Sequence, residues 1–127
     1  MTATPRDPQM LKGILPVLVI ALLTERESYG YELVTRLQDD GLDDIAAGTV
    51  YPVLTRLERE GHISSRLVAS PSGPARKYYL PTTAGTAHLA QAAAGWRDLA
   101  RTVESVLGRI DTADHPADSS DTPEESS

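Results

Sequence analysis

Thr49, Pro52, Arg56 and Arg59 recur at spacings of three and four residues, with Tyr51 and Thr55 beside them. On a helix, that spacing gathers the side chains on one face. Such a face fits the major groove of B-form DNA, where Arg contacts guanine in bidentate fashion, Thr meets the thymine methyl group and Tyr donates to phosphate. Further along, Arg76 and Lys77 stand directly ahead of Tyr78 and Tyr79. On an exposed strand, two cations lie across neighbouring phosphates and add affinity with little sequence information. The plain alternative for both sets is a solvated surface. Their occurrence in one short stretch favours nucleic acid.

Other chemistries find little support. His62, His88 and His115 are far apart in sequence and none has a second ligand at i+3 or i+4, so no metal site is expected. His62 follows a helix and reads as a partner for its C-terminal dipole. The chain has no Cys, which removes disulfides, thiolate metal sites and thiol redox sensing, and fits a reducing compartment such as the cytoplasm. No phosphate-cradling glycine loop, nucleophile elbow or carboxylate pair in an apolar setting occurs, so neither enzymatic activity nor a cofactor is expected.

A net charge of -6 argues against DNA until it is divided along the chain. Residues 1–44 carry a net -4, residues 45–110 a net +4 and residues 111–127 a net -6. Phosphates respond to the local field, and the middle segment is basic.

The elements that must hold these side chains follow from the apolar pattern. Residues 1–8 read as a flexible arm with two prolines. From Gln9 to Thr24 the side chains are nearly all apolar, as in a buried helix that begins near Leu15 or bends at Pro16. Its strongest run, Ile14–Leu23, is ten residues, short of the roughly 20 that cross a bilayer, so no membrane partner is expected. Arg6 and Lys12 precede the run, but Thr24-Glu25-Arg26-Glu27 offers no small-residue cleavage site, so no secretion signal is expected.

Ser28 is placed to cap a second helix through about Asp40, Gly30 to permit a close crossing and Gly41 to stop it. An exposed turn links Gly41 to Ala47. The third helix runs from about Gly48 to Glu60, with Val50, Val53, Leu54 and Leu57 buried and Gly61 as its stop. Ile63–Ala69 and Ala75–Leu80 flank the turn cluster Ser70–Pro74 and form a β-hairpin.

Thr82 or Thr83 caps a last helix that continues to about Ile110. Leu89, Trp96, Val103 and Ile110 are spaced by seven, as are Ala92, Leu99 and Val106. This seam calls for a partner helix, and the same helix of a second copy is expected to supply it. A cap on the chain's own core is the alternative. Trp96, the sole Trp, would then lie at a two-fold interface, where its ring packs on the partner or lines a site for a small planar apolar effector. Residues 111–127 are rich in Asp, Ser, Thr, Pro and Glu and are expected to be a disordered acidic tail.

The fold class is thus mainly α with a small β-hairpin: a winged helix-turn-helix domain over residues 9–81 and a dimerisation helix over 82–110. Four strings sharpen this. Gly30-Tyr31-Glu32-Leu33, the stretch Gly48-Thr49-Val50-Tyr51-Pro52-Val53-Leu54-Thr55-Arg56-Leu57-Glu58-Arg59-Glu60-Gly61, and Arg76-Lys77-Tyr78-Tyr79 with Thr82-Thr83-Ala84-Gly85 resemble the PadR family of transcriptional regulators. The similarity runs from about Leu11 to Leu107.

The resemblance implies a homodimeric repressor on a palindromic double-stranded DNA operator, released by a small ligand or stress signal. It also implies that Thr49, Tyr51 and Arg56 face DNA and that the last helix dimerises. The chain departs from the pattern at Pro81, where an aliphatic residue is usual, and in its single, short C-terminal helix, which leaves an effector only the space between subunits. A rival reading keeps the fold but makes the dimer a protein- or ligand-binding module without an operator.

Overall fold

The computed structural model describes residues 7–114. The elements are α1 (Pro8–Glu25), β1 (Ser28–Tyr29), α2 (Gly30–Asp39), α3 (Ala47–Arg59), β2 (Ile63–Ser70), β3 (Gly73–Pro81) and α4 (Thr83–Asp114). Contacts divide the chain into two units, Met1–Ala92 and Ala93–Ser127.

In the first unit, α1 begins where Asp7 accepts from the Gln9 backbone N–H and Pro8 supplies a preset φ. It runs through Pro16 to Glu25 and so starts earlier than the apolar run alone indicates. Leu15, Val19, Ile20 and Leu23 form the middle of the core with Leu33 and Leu37 of α2 and Val50, Leu54 and Leu57 of α3. The apolarity of α1 is thus used in packing.

Ser28 does not cap α2. It is buried in β1, where its Oγ accepts from Arg36, and the N-cap is Tyr29 with no side-chain bond. Gly41 at φ 124 and Gly61 at φ 82 end α2 and α3 in a backbone region that glycine enters without strain. The link between those helices is not wholly exposed: Ile45 is buried in the core, and its carbonyl accepts from the Gln38 side chain.

The three strands form an antiparallel sheet in the order β1-β3-β2. The hairpin turn is tighter than its Pro/Gly-rich cluster suggests, because Ser70 pairs with Gly73 and only Pro71 and Ser72 lie between. Thr82 then caps α4 by accepting from the Gly85 backbone N–H, and its own hydroxyl donates to the Gly61 carbonyl.

The second unit is described as a single helical segment, the continuation of α4 to Asp114, four residues past the expected end. The arm over residues 1–6 and the tail over 115–127 lie outside the described residues.

Candidate nucleic-acid interface

The third helix presents the surface its spacing promised. Val50, Leu54 and Leu57 are buried, and Thr49, Tyr51, Pro52, Thr55, Arg56 and Arg59 are all exposed on the other side. Neither face is arbitrary, since the buried leucines fix the rotation of the helix and therefore what solvent meets. Thr55 donates to the Tyr51 carbonyl at 3.1 Å, which uses its hydroxyl proton and leaves the oxygen able to accept. Arg56 lies 3.4 Å from Glu60, a half-exposed i,i+4 pair that a phosphate or base can compete for.

Tyr51 is set by Gly30. A Cβ at position 30 would stand 2.8 Å from the tyrosine ring, so only glycine leaves room for the ring at the start of α2. The close approach expected of Gly30 is therefore real, with a side chain of α3 as its partner.

Strand alternation separates the two wing cations. Lys77 pairs with Leu67 and Tyr79 with Ser65, while Arg76 pairs with Val68 and Tyr78 with both Arg66 and Tyr29. Neighbours along a strand point to opposite faces. On one face, Arg76 lies 4.4 Å over the Tyr29 ring, and Tyr29 meets Tyr78 edge-on at 5.4 Å. On the other, the Lys77 ammonium donates to Glu58 of α3 at 2.9 Å and sits 5.5 Å over the Tyr79 ring. Burial holds the Tyr79 phenol above its ordinary pKa, so it stays neutral and able to donate.

An open pocket of about 220 Å³ lies where these parts meet, lined by Tyr29, Gly30, Tyr51, Leu54, Arg76, Lys77 and Tyr79. Phenol hydroxyls and the Arg76 guanidinium around one hollow suit a phosphate oxygen.

Three relationships escaped the sequence reading. Glu58 accepts from both Ser65 and Lys77, tying α3 to the hairpin. Arg66 engages both carboxylate oxygens of Glu27, which depresses the Glu27 pKa chiefly through the hydrogen bond. Arg36, only 11% exposed, donates to the Leu22 and Arg26 carbonyls, Ser28 and Glu25. Charge runs of opposite sign were the only available signal, and they do not name partners.

The His62 and His88 rings, distant in sequence, stack at 4.3 Å, so His62 is partnered by a ring of α4 in addition to any dipole at the end of α3. Among the described residues no group of three ligands suited to a metal occurs, and His115 lies outside them.

Along α4, the first two seam residues belong to the first unit. Leu89 packs against its core and Ala92 is half-buried. In the second unit Trp96, Leu99, Val103, Val106 and Ile110 are exposed, and Leu107, not foreseen, extends the same stripe.

Residues 19–91 match the profile described as "Transcriptional regulator PadR-like family". The crystal structure of a PadR-like transcriptional regulator from Bacillus cereus is similar at 38% identity and a TM-score of 0.71, over 78% of this chain and 96% of its own. A PadR family transcriptional regulator from Eggerthella lenta is similar at 37% identity and a TM-score of 0.71, over 78% of this chain and 86% of its own. An uncharacterized protein of Lysinibacillus sphaericus is 27% identical over 97 residues, 75% of this chain and 89% of that one.

Proposed function

The chain belongs to the PadR-like family of transcriptional regulators, and from that premise we propose that it is a cytoplasmic repressor acting as a homodimer on a palindromic operator. The observation that carries this reading is the face of α3, where Thr49, Tyr51, Pro52, Thr55, Arg56 and Arg59 are exposed opposite the buried Val50, Leu54 and Leu57, with Val53, expected to be buried, only partly so. In the groove, Arg56 and Arg59 read or neutralise, Thr49 and Thr55 offer methyl and hydroxyl contacts, and Tyr51 donates to phosphate. Arg76, 4.4 Å over the Tyr29 ring, meets the backbone.

The apolar stripe from Trp96 to Ile110 supports pairing with a second copy, as a heptad seam requires. A small planar apolar effector binds beside Trp96 in such a dimer. Trp fluorescence that is indifferent to a panel of phenolic and drug-like compounds would remove that part of the proposal.

Selection of bound duplexes from a random pool tests the whole reading. The expected product is an inverted repeat whose half-sites are centred about 34 Å apart, or a multiple of that. A pool that enriches nothing, with a dimer still present in solution, returns the chain to a protein- or ligand-binding module.

A further inference from the structure

We propose that Glu58 is a positioning residue: it grips Ser65 and Lys77 and so sets where the wing stands against α3, leaving Arg76 as the cation of the pair that meets DNA. The proposal rests on the DNA-reading role above. Glu58 follows Tyr51 and Thr55 at i+7 and i+3, so it lies on the flank of the exposed face that turns toward the hairpin. Its two oxygens are divided between the two strands. Oε2 accepts from the Ser65 hydroxyl at 2.6 Å, and Oε1 accepts from the Lys77 ammonium at 2.9 Å.

That division matters because β1 on β3 and Arg66 on Glu27 tie the hairpin to the chain ahead of α2, and neither ties it to α3. One carboxylate that bonds β2 and β3 at once fixes the angle of both against the helix. Lys77, with a carboxylate at contact distance, contributes little net field to a passing phosphate. To reach one it would abandon Glu58 and leave that anion facing the anionic backbone. Arg76, one residue earlier and on the opposite face, has for a neighbour the Tyr29 ring, which carries no charge to set against the guanidinium. The titration directions agree: the Ser65 bond, then Lys77, holds Glu58 below the usual carboxylate range, and Glu58 holds Lys77 above the usual ammonium range.

The test uses the full chain, its Glu58→Gln, Lys77→Gln and Arg76→Gln variants, the Glu58→Gln/Lys77→Gln double variant and the charge-swapped Glu58→Lys/Lys77→Glu form. The probe is a duplex selected from a random pool by the unaltered protein. Arg76→Gln is expected to flatten the slope of log K against log salt by about 0.9 per lost phosphate contact. Lys77→Gln is expected to leave the slope unchanged, and both Lys77→Gln and Glu58→Gln are expected to lower the preference for selected over scrambled duplex by roughly three- to tenfold. Combining them should cost no more than either alone, and the swap should recover most of the loss.

If Lys77→Gln flattens the slope as Arg76→Gln does, if Glu58→Gln tightens both duplexes alike, or if the swap recovers nothing, the proposal is overturned. Hydrogen exchange of the DNA-free protein reads the clasp independently of any operator. The β2 and β3 amides should exchange about threefold faster in Glu58→Gln while α1 is unaffected, and unchanged wing exchange also overturns the proposal. A pool that the unaltered protein fails to enrich removes DNA reading itself and leaves exchange to decide the clasp.

Discussion

Gly30 lies directly against the Tyr51 ring, with the position of an added Cβ 2.8 Å from Cε1 and 2.9 Å from Cζ. The obstructed atoms belong to the outer end of a side chain that can swing aside. Gly30→Ala should therefore leave thermal stability within about 1 kcal/mol while displacing Tyr51 from the reading face. A mobility shift on a selected duplex should show binding weakened by roughly five- to thirtyfold, comparable to Tyr51→Phe or worse.

Gly85 presents the opposite case. A Cβ there would lie 1.9 Å from the His62 carbonyl oxygen, which is backbone and cannot rotate away. Gly85→Ala should force the first turn of α4 off the loop after α3 and destabilise the domain by about 1–3 kcal/mol, read as a lower urea midpoint. Thr82→Ala, which removes the cap to Gly85 and the bond to Gly61, should act in the same direction by about 1 kcal/mol.

The Arg36 side chain is only 11% exposed and serves four acceptors, so its value lies in satisfying them and not in any reach toward solvent. Arg36→Met keeps much of the volume and leaves the Ser28 hydroxyl and two carbonyls short of a donor. A loss of about 2–4 kcal/mol is expected in denaturant unfolding, with little change in the salt slope of DNA binding for the molecules that remain folded.

Acid should loosen the wing before it unfolds the domain. The folded-state pKa of Glu58 is depressed, first by Ser65 and then by Lys77, so its contribution is complete above the ordinary carboxylate value and is lost as pH falls through the lower, folded value. The Lys77 side works in the reverse sense: its raised pKa keeps the contribution until pH climbs past the ordinary lysine range. The stability difference between the unaltered chain and Glu58→Gln should thus stay flat through neutral pH and close on the acid side. A difference that persists at strongly acid pH would contradict it.

The buried faces were legible because a helix reports its own orientation locally. Val50, Leu54 and Leu57 recur on the period of one turn and needed no knowledge of the rest of the chain. The exposed face of Thr49, Arg56 and Arg59 followed as its complement. What was not legible depends on residues meeting across long separations. Two residues, Ser28 and Tyr29, are too few to show alternation, and they become a strand only because Tyr79 and Tyr78 arrive beside them. Glu58 meets Lys77 across 19 positions and Glu27 meets Arg66 across 39, and nothing in local charge order selects those pairs from the others available. The opposed directions of Arg76 and Lys77 were implicit in strand alternation, but which face met α3 depended on the register with β2.

The ion pairs on the proposed reading surface also bear on how such a protein travels. Arg56 carries the Glu60 carboxylate at hand, and Lys77 is held by Glu58. A random stretch of duplex must displace the first carboxylate and gains little from the second cation, so it gains less from the encounter than from a surface of unpaired charge. Its hold on wrong sequences is correspondingly brief. A regulator outnumbered by a chromosome of incorrect sites benefits most from short stays at each of them, and built-in counter-ions shorten the search.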